Sequence, residues 1–236
     1  MLVAAALVFI GIPTSVTIRS LQPRAAEFST STLSSSERLA SSAVRLDSRG
    51  GGRFDVGSGV AVSAHVVLTN AHLTNDPATF VTRCDHSVLT TGQVDQDMHG
   101  LDLAVVVTNG SDLISIELAT SDPKPGQTVT MVGYPAGQRT TTTAKIEGTL
   151  VRGSSTMLRF SPEPHPGQSG SPLVDADGKL VAIAFAEDTV GGQGLAIPVS
   201  QVREALERWQ AAGLPLDPKA PAAADADTPG AAVCPR

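Results

Sequence analysis

Three residues of this 236-residue chain have the types and settings that acyl-transfer chemistry needs. That chemistry takes a nucleophile, a base to remove its proton and an acid to orient the base. Ser169 stands in PHPGQSGSPLVD, between Gly167-Gln168 and Gly170. A turn would use the glycines but has no need of the hydroxyl, whereas a nucleophile on a sharply bent backbone uses both. His72 lies in VVLTNAHL, where an apolar run from Val66 to Leu68 ends in small residues and would leave the imidazole at a strand end. Asp102, in HGLDLAVVV, opens an apolar run. A carboxylate is costly to bury there unpaired, and a histidine N–H is a partner that offsets the cost. Taken singly, each has a plainer reading: a turn serine, a core histidine, a residue that starts a strand. His65, His86, His99 and His165 lack any such setting and read as surface or loop residues, His165 being nearest the serine.

Bringing together residues so far apart requires a fold with many returns. VGSGVAVSAHVVLTN, ATFVTRCDHSVLTTGQV, LDLAVVV, QTVTMVGY, AKIEGTLVRG, TMLRFS and KLVAIAFAE are short, rich in Val and Thr, and separated by Gly, Pro, Asn or Asp. That pattern predicts antiparallel strands in a barrel or sandwich. Residues 43–120 and 121–199 are alike in length and texture, as two successive barrels would be. With aromatics at only 3%, the core must come from Val, Ala, Leu and Ile. One helix is expected over 200–212. Ser200 is its candidate N-cap, Val202, Leu206 and Trp209 share a face, and Gly213 ends it. Residues 213–236, rich in Pro and Ala, read as an extended or disordered tail.

The segments TNAH, DLAVV and GQSGSP resemble the three catalytic segments of chymotrypsin-fold serine peptidases, in that family's order and approximate spacing. The nearest branch is the bacterial trypsin-like, HtrA-like one. The likeness covers about residues 42–210, with LAIPVSQV similar to the strand and helix that end such domains. The resemblance implies an all-β fold of two antiparallel six-stranded β-barrels, about 42–120 and 121–199, with a C-terminal helix. It implies a serine endopeptidase with His72, Asp102 and Ser169 as catalytic residues, the Gly167 and Ser169 amides as the oxyanion hole, and an acyl-enzyme intermediate. It requires no cofactor. A second reading is a catalytically silent relative that binds peptides or proteins; a third is a protease regulated through a disulfide in its tail. HtrA-like relatives often carry a PDZ domain, but only a short tail follows the helix here, so peptide gating and oligomeric chaperone function are not implied.

Two departures from the digestive enzymes are visible. Gln168 stands where their zymogens carry an aspartate that pairs with a new N-terminal amine, so activation by N-terminal insertion is not expected. Ser171 replaces the second glycine of GxSGGP, as in several bacterial relatives. For specificity, Glu163 lies six residues before the nucleophile, where trypsin-like enzymes place the acid of the pocket floor. Ala184, Phe185 and Ala186 would form one wall, and Gly194 would leave the pocket open, giving a preference for Arg or Lys. Alternatively the loop 161–166, with three prolines, takes another path and leaves Glu163 solvated. A small or apolar preference is then the default.

Composition bounds the rest. With 41% hydrophobic and 17% charged residues the chain can build a core. A net charge of −6 without a basic run gives no support for nucleic-acid binding. Residues 1–20 hold an uncharged stretch, Met1–Ile18, at the short end of what spans a bilayer and weakened by Pro13, Thr14 and Ser15. It reads as a signal peptide, an anchor, or the end of a longer membrane region. Arg19 and Arg24 would keep that flank cytoplasmic by the positive-inside rule. Residues 21–41, with STSTLSSSE, have the composition of a flexible extracellular linker, which favours export to a secreted or membrane-anchored, extracytoplasmic location. In such a compartment Cys84 and Cys234 would pair, the alternative being two unrelated thiols. No spacing resembles a metal site. The expected partner is a protein or peptide substrate, and the expected state a monomer.

Overall fold

Alternation of Val and Thr sets the strands. In Thr128–Gly133, Val129 and Met131 are buried while Thr128 is exposed and Thr130 half-buried, the period-two pattern of a strand with one face inward. A computed structural model of the protein describes residues 33–50, 53–76, 78–97, 99–110, 112–153, 155–185, 191–214 and 234. The leader 1–20, most of the 21–41 linker, Ala186 and nearly all of the 213–236 tail lie outside the described residues. Among the described residues no helix is long and apolar enough to cross a membrane.

Twelve strands form two closed antiparallel barrels of six. The first comprises β1 (Ala43–Gly50), β2 (Arg53–Ala61), β3 (Val66–Thr69), β4 (Ala78–Thr82), β5 (Val88–Gln96) and β6 (Ala104–Thr108), in the order β1-β2-β3-β6-β5-β4. The second comprises β7 (Thr128–Gly133), β8 (Thr140–Arg152), β9 (Ser155–Ser161), β10 (Pro172–Val174), β11 (Leu180–Phe185) and β12 (Gly194–Pro198), in the order β10-β11-β12-β9-β8-β7. This is the all-β architecture the resemblance implies. Closure leaves no unpaired sheet edge in either barrel.

Each barrel has its own interior. Val44, Leu46, Val67, Val81 and Val106 fill the first, and Val129, Met131, Ile146, Leu158, Phe160 and Leu173 fill the second. A third cluster lies between them and joins Val60, Leu68, Leu103 and Val105 to Val132, Val174, Leu180 and Ile183. The seam is therefore apolar and continuous with both barrels. Tyr134, just past β7, also ties them by donating its hydroxyl to Ala43 O at 3.1 Å. Burial raises the Tyr134 phenol pKa, against a lowering pull from Arg139 and Arg45.

Two local expectations are corrected. Ser35–Ser42, the end of the stretch read as flexible linker, is a helix, α1. Ser34 and Glu37 form a reciprocal capping box, and Leu39 and Ala40 are buried beneath it. The serine-rich composition hid a start signal and an apolar anchor. The C-terminal helix α2 runs Val199–Ala211 with Pro198 at its N-cap, so Ser200 is not the cap. Instead the Asp122 carboxylate accepts from Ser200 N at 2.8 Å and Ser200 Oγ at 2.7 Å, supplying a cap from the segment between the barrels. Val202, Ala205 and Trp209 are its buried residues in the seam cluster, with Leu206 half-buried. Gly213, at φ 87°, follows its end.

Cys84, in the turn between β4 and β5, is disulfide-bonded to Cys234, with Cα atoms 5.8 Å apart. Cys234 is buried, and its N–H donates to Ser41 Oγ at 2.9 Å. The bridge thus reaches both the first barrel and α1.

Candidate active site

The register of β3 against β6 brings the first two candidates together. Thr69, the last residue of β3, pairs with Ala104, the first of β6. The chain leaving β3 therefore runs beside the chain entering β6, and Ala71–Thr74 turns there in a short 3-10 helix. Within it the His72 backbone N–H donates to Asp102 Oδ1 at 2.9 Å, and Nδ1 meets Oδ2 at 2.6 Å. Both carboxylate oxygens hold the same histidine. Asn70, fully buried, donates its side-chain amide to Asp102 O at 2.8 Å and fixes the aspartate backbone. A carboxylate accepts only, so in the neutral imidazole this contact places the proton on Nδ1 and the lone pair on Nε2. The Phe185 ring meets the imidazole edge-on, with centroids 6.0 Å apart, and the Arg152 guanidinium lies over the same Phe185 ring.

Ser169 lies in the turn that enters β10 and is 5% exposed. The backbone around it is bent twice into the left-handed region, at Gly167 (φ 94°) and Gly170 (φ 81°). Neither site tolerates a side chain. A Cβ at Gly167 would stand 2.6 Å from Tyr134 O, and one at Gly170 would strike Ser58 O. Gly170 N donates to Ala184 O at 2.9 Å and Ala184 N to Ser171 O at 2.8 Å, pinning the turn to β11. The loop closes on itself as well. Gln168 N donates to His165 O at 3.0 Å, while His165 N donates to Gln168 Oε1 at 2.7 Å. Gln168 is buried and its side chain serves this turn.

The histidine and serine segments meet the same residue. Ser58 N donates to Ser169 O at 2.8 Å, and Ser58 O accepts from Thr69 Oγ1, three residues before His72, at 2.7 Å. The segments that carry the candidates thus meet at Ser58, on β2.

The pocket residues are arranged otherwise than the trypsin-like reading requires. Glu163 is exposed, on a loop entered through the cis Ser161–Pro162 bond, its carboxylate near the Gly192 turn. Gly194 does not hold a pocket open: the space its side chain would take is filled by Phe160 and Pro164, each 2.5 Å from the Cβ position. Ala184 has no exposed surface, and Phe185 faces His72. Among the described residues no cluster of His, Cys, Asp or Glu could hold a metal ion.

Sequence reasoning passed over Ser58 and the side-chain role of Asn70. Gly57-Ser58-Gly59 was a readable signal of close packing. A Cβ at Gly57 would collide with Leu73, and one at Gly59 would stand 2.6 Å from Leu46 and 2.7 Å from Val67.

The profile of the trypsin-like peptidase domain matches residues 57–183. Serine protease HTRA1 of Xenopus tropicalis is 32% identical over 163 residues, which are 64% of this chain and 35% of that protein. A DegP-like protein of Pseudomonas fulva, named a periplasmic serine endoprotease, is 31% identical over 180 residues, 70% of this chain and 37% of its own. The chain spans well under half the length of these curated relatives. Among solved structures, the Rv3671c protease of M. tuberculosis in its active form matches with a TM-score of 0.67 at 20% identity, over 86% of this chain and 93% of that one. At that identity the likeness bears on the fold.

Proposed function

This chain belongs to the trypsin-like peptidase family, and from that premise we propose that it is a serine endopeptidase using His72, Asp102 and Ser169. His72 Nε2 takes the proton of Ser169 Oγ as that oxygen attacks a peptide carbonyl carbon. The oxyanion of the tetrahedral intermediate is met by the N–H groups of Gly167 and Ser169. Collapse breaks the C–N bond, His72 returns its proton to the leaving amine, and an acyl-enzyme remains. Water, deprotonated by His72, attacks the ester carbonyl; collapse breaks the C–O bond to Ser169, His72 returns the proton to Ser169 Oγ, and the acid leaves. Asp102 stays ionised throughout, holding the tautomer and stabilising the imidazolium.

The observation that carries this reading is the double grip of the Asp102 carboxylate on His72, through backbone N–H and Nδ1 together. A structural carboxylate needs partners, but not an imidazole whose other nitrogen is thereby left as an acceptor. The solvated Glu163 favours substrates with a small or apolar residue before the cleaved bond. The peptidase unit, read from sequence as 42–212, begins on this proposal at α1, whose Leu39 enters the seam cluster. Its place of action is extracytoplasmic, supported by the disulfide and by a relative named as periplasmic. Peptide-library profiling of the full chain tests the reading. Cleavage after Ala, Val or Leu that vanishes in Ser169→Ala is expected. Absence of wild-type cleavage, or cleavage that persists in the variant, refutes it.

A further inference from the structure

Ser58 has no exposed surface, and every polar group it carries is engaged with a neighbour that bears on the site. Its N–H donates to Ser169 O, and its carbonyl accepts from Thr69 Oγ1. Its hydroxyl accepts from Tyr134 N at 2.9 Å and donates its proton to Gly167 O at 2.7 Å. The direction of that last bond is forced. An amide N–H can only donate, so Tyr134 N occupies a lone pair of the hydroxyl, and Gly167 O can only accept its proton. Gly133 lets this arrangement close, because a Cβ there would strike Ser171 Oγ and come within 3.2 Å of Ser58 Oγ.

The Gly167 carbonyl belongs to the peptide between the two amides assigned to the oxyanion. Gly167, lacking Cβ, has no side chain to resist rotation of the flanking peptides. Gln168 and His165 fasten the ends of the turn to each other, but both belong to the loop itself. Ser58 grips its middle from the other barrel, 109 residues away in sequence. We propose that Ser58 is a positioning residue: its hydroxyl sets the orientation of the Gly167 peptide, and so aims the oxyanion donors only when β2, the end of β7 and the nucleophile turn are seated together. Preorganised donors act on charge that develops in the transition state, so misorienting one lowers turnover more than substrate binding.

This inference rests on the serine-peptidase reading, and the experiment separates the two. Wild-type chain, Ser169→Ala, Ser58→Ala and Thr108→Val are compared. Thr108→Val removes a buried hydroxyl that donates to Gly110 O at 2.9 Å, at the end of β6 away from His72, and controls for loss of stability. Wild-type protein is first shown to react with a fluorophosphonate at Ser169; failure there withdraws both readings. Ser58→Ala is then expected to lose about 10–100-fold in kcat, somewhat less than loss of a whole oxyanion donor, with KM within about twofold of wild type. Its affinity for a peptide aldehyde, whose hemiacetal oxygen sits where the oxyanion forms, falls by the same factor as kcat/KM. Thr108→Val shows a comparable shift in Tm and keeps its kcat. Retained turnover in Ser58→Ala, an aldehyde affinity that does not follow kcat/KM, or an equal kcat loss in Thr108→Val overturns the Ser58 assignment while leaving the peptidase reading intact. If Ser58→Ala does not fold, Ser58→Cys, with a weaker donor of similar shape, is measured instead; unchanged kcat and aldehyde affinity there overturn it equally.

Discussion

Replacing Asp102 by asparagine keeps the shape of the side chain and removes one of its two acceptors. The wild-type carboxylate accepts from His72 N at 2.9 Å and Nδ1 at 2.6 Å. An asparagine has a single oxygen for these two donors. If that oxygen takes Nδ1–H, its NH2 faces the backbone N–H, donor against donor. If it takes the backbone N–H, its NH2 donates to Nδ1, the ring proton moves to Nε2, and no lone pair remains for the Ser169 proton. The second arrangement satisfies every group and is the one expected, since an unpaired buried donor costs about 1–3 kcal/mol. The enzyme then folds but holds the wrong tautomer, a change worth about 10⁴-fold in kcat, or roughly 5.5 kcal/mol of activation free energy. Stability changes little, because the Asp102 side chain is 24% exposed and its hydrogen bonds are exchanged rather than lost. The assay is kcat and KM for Asp102→Asn on a peptide amide, with Tm measured in parallel. An Asp102→Asn enzyme that keeps a tenth or more of wild-type kcat would refute the tautomer argument.

Three further outcomes follow from the geometry. Gly167→Ala forces a Cβ into φ 94° and to 2.6 Å from Tyr134 O, so it should destabilise by about 1–2 kcal/mol from backbone strain alone and lower kcat; unchanged chemical denaturation would contradict the left-handed turn. Reducing the Cys84–Cys234 bridge, which spans 150 residues, should lower unfolding free energy by up to about 5 kcal/mol in the chain-entropy picture, seen as a lower urea midpoint in reductant; no shift would mean the tail is not held. Burial raises the Tyr134 phenol above its ordinary 10.0. The stability this group contributes is therefore full below pH 10 and is lost as pH rises through the raised folded value. The stability gap between wild type and Tyr134→Phe should narrow above pH 10, and a constant gap in alkaline denaturation curves would contradict the burial.

What the sequence made legible was whatever depends on local pattern. Strands such as Thr128–Gly133 declare themselves by alternation, and α2 by Val202 and Trp209 two turns apart. The pairing of His72 with Asp102 was foreseeable because an aspartate opening an apolar run needs a donor. Signals that depend on weighing composition against a few residues were misread. Ser34 and Glu37 start a helix inside a serine-rich stretch, where linker composition dominated. Contributions fixed only by long-range approach could not be read at all. Asp122 caps a helix 78 residues later, Phe160 and Pro164 close the space above Gly194, and Ser58 reaches Gly167 across two barrels. A serine hydroxyl in a strand carries no mark of which carbonyl it will find.

The most direct measurement is the site of covalent capture. Treating the full chain with a fluorophosphonate and mapping the adduct by mass spectrometry should find one phosphonyl group per molecule, on Ser169, with none in Ser169→Ala and strongly slowed labelling in His72→Ala. An adduct on another serine, or labelling of either variant at the wild-type rate, would contradict the account.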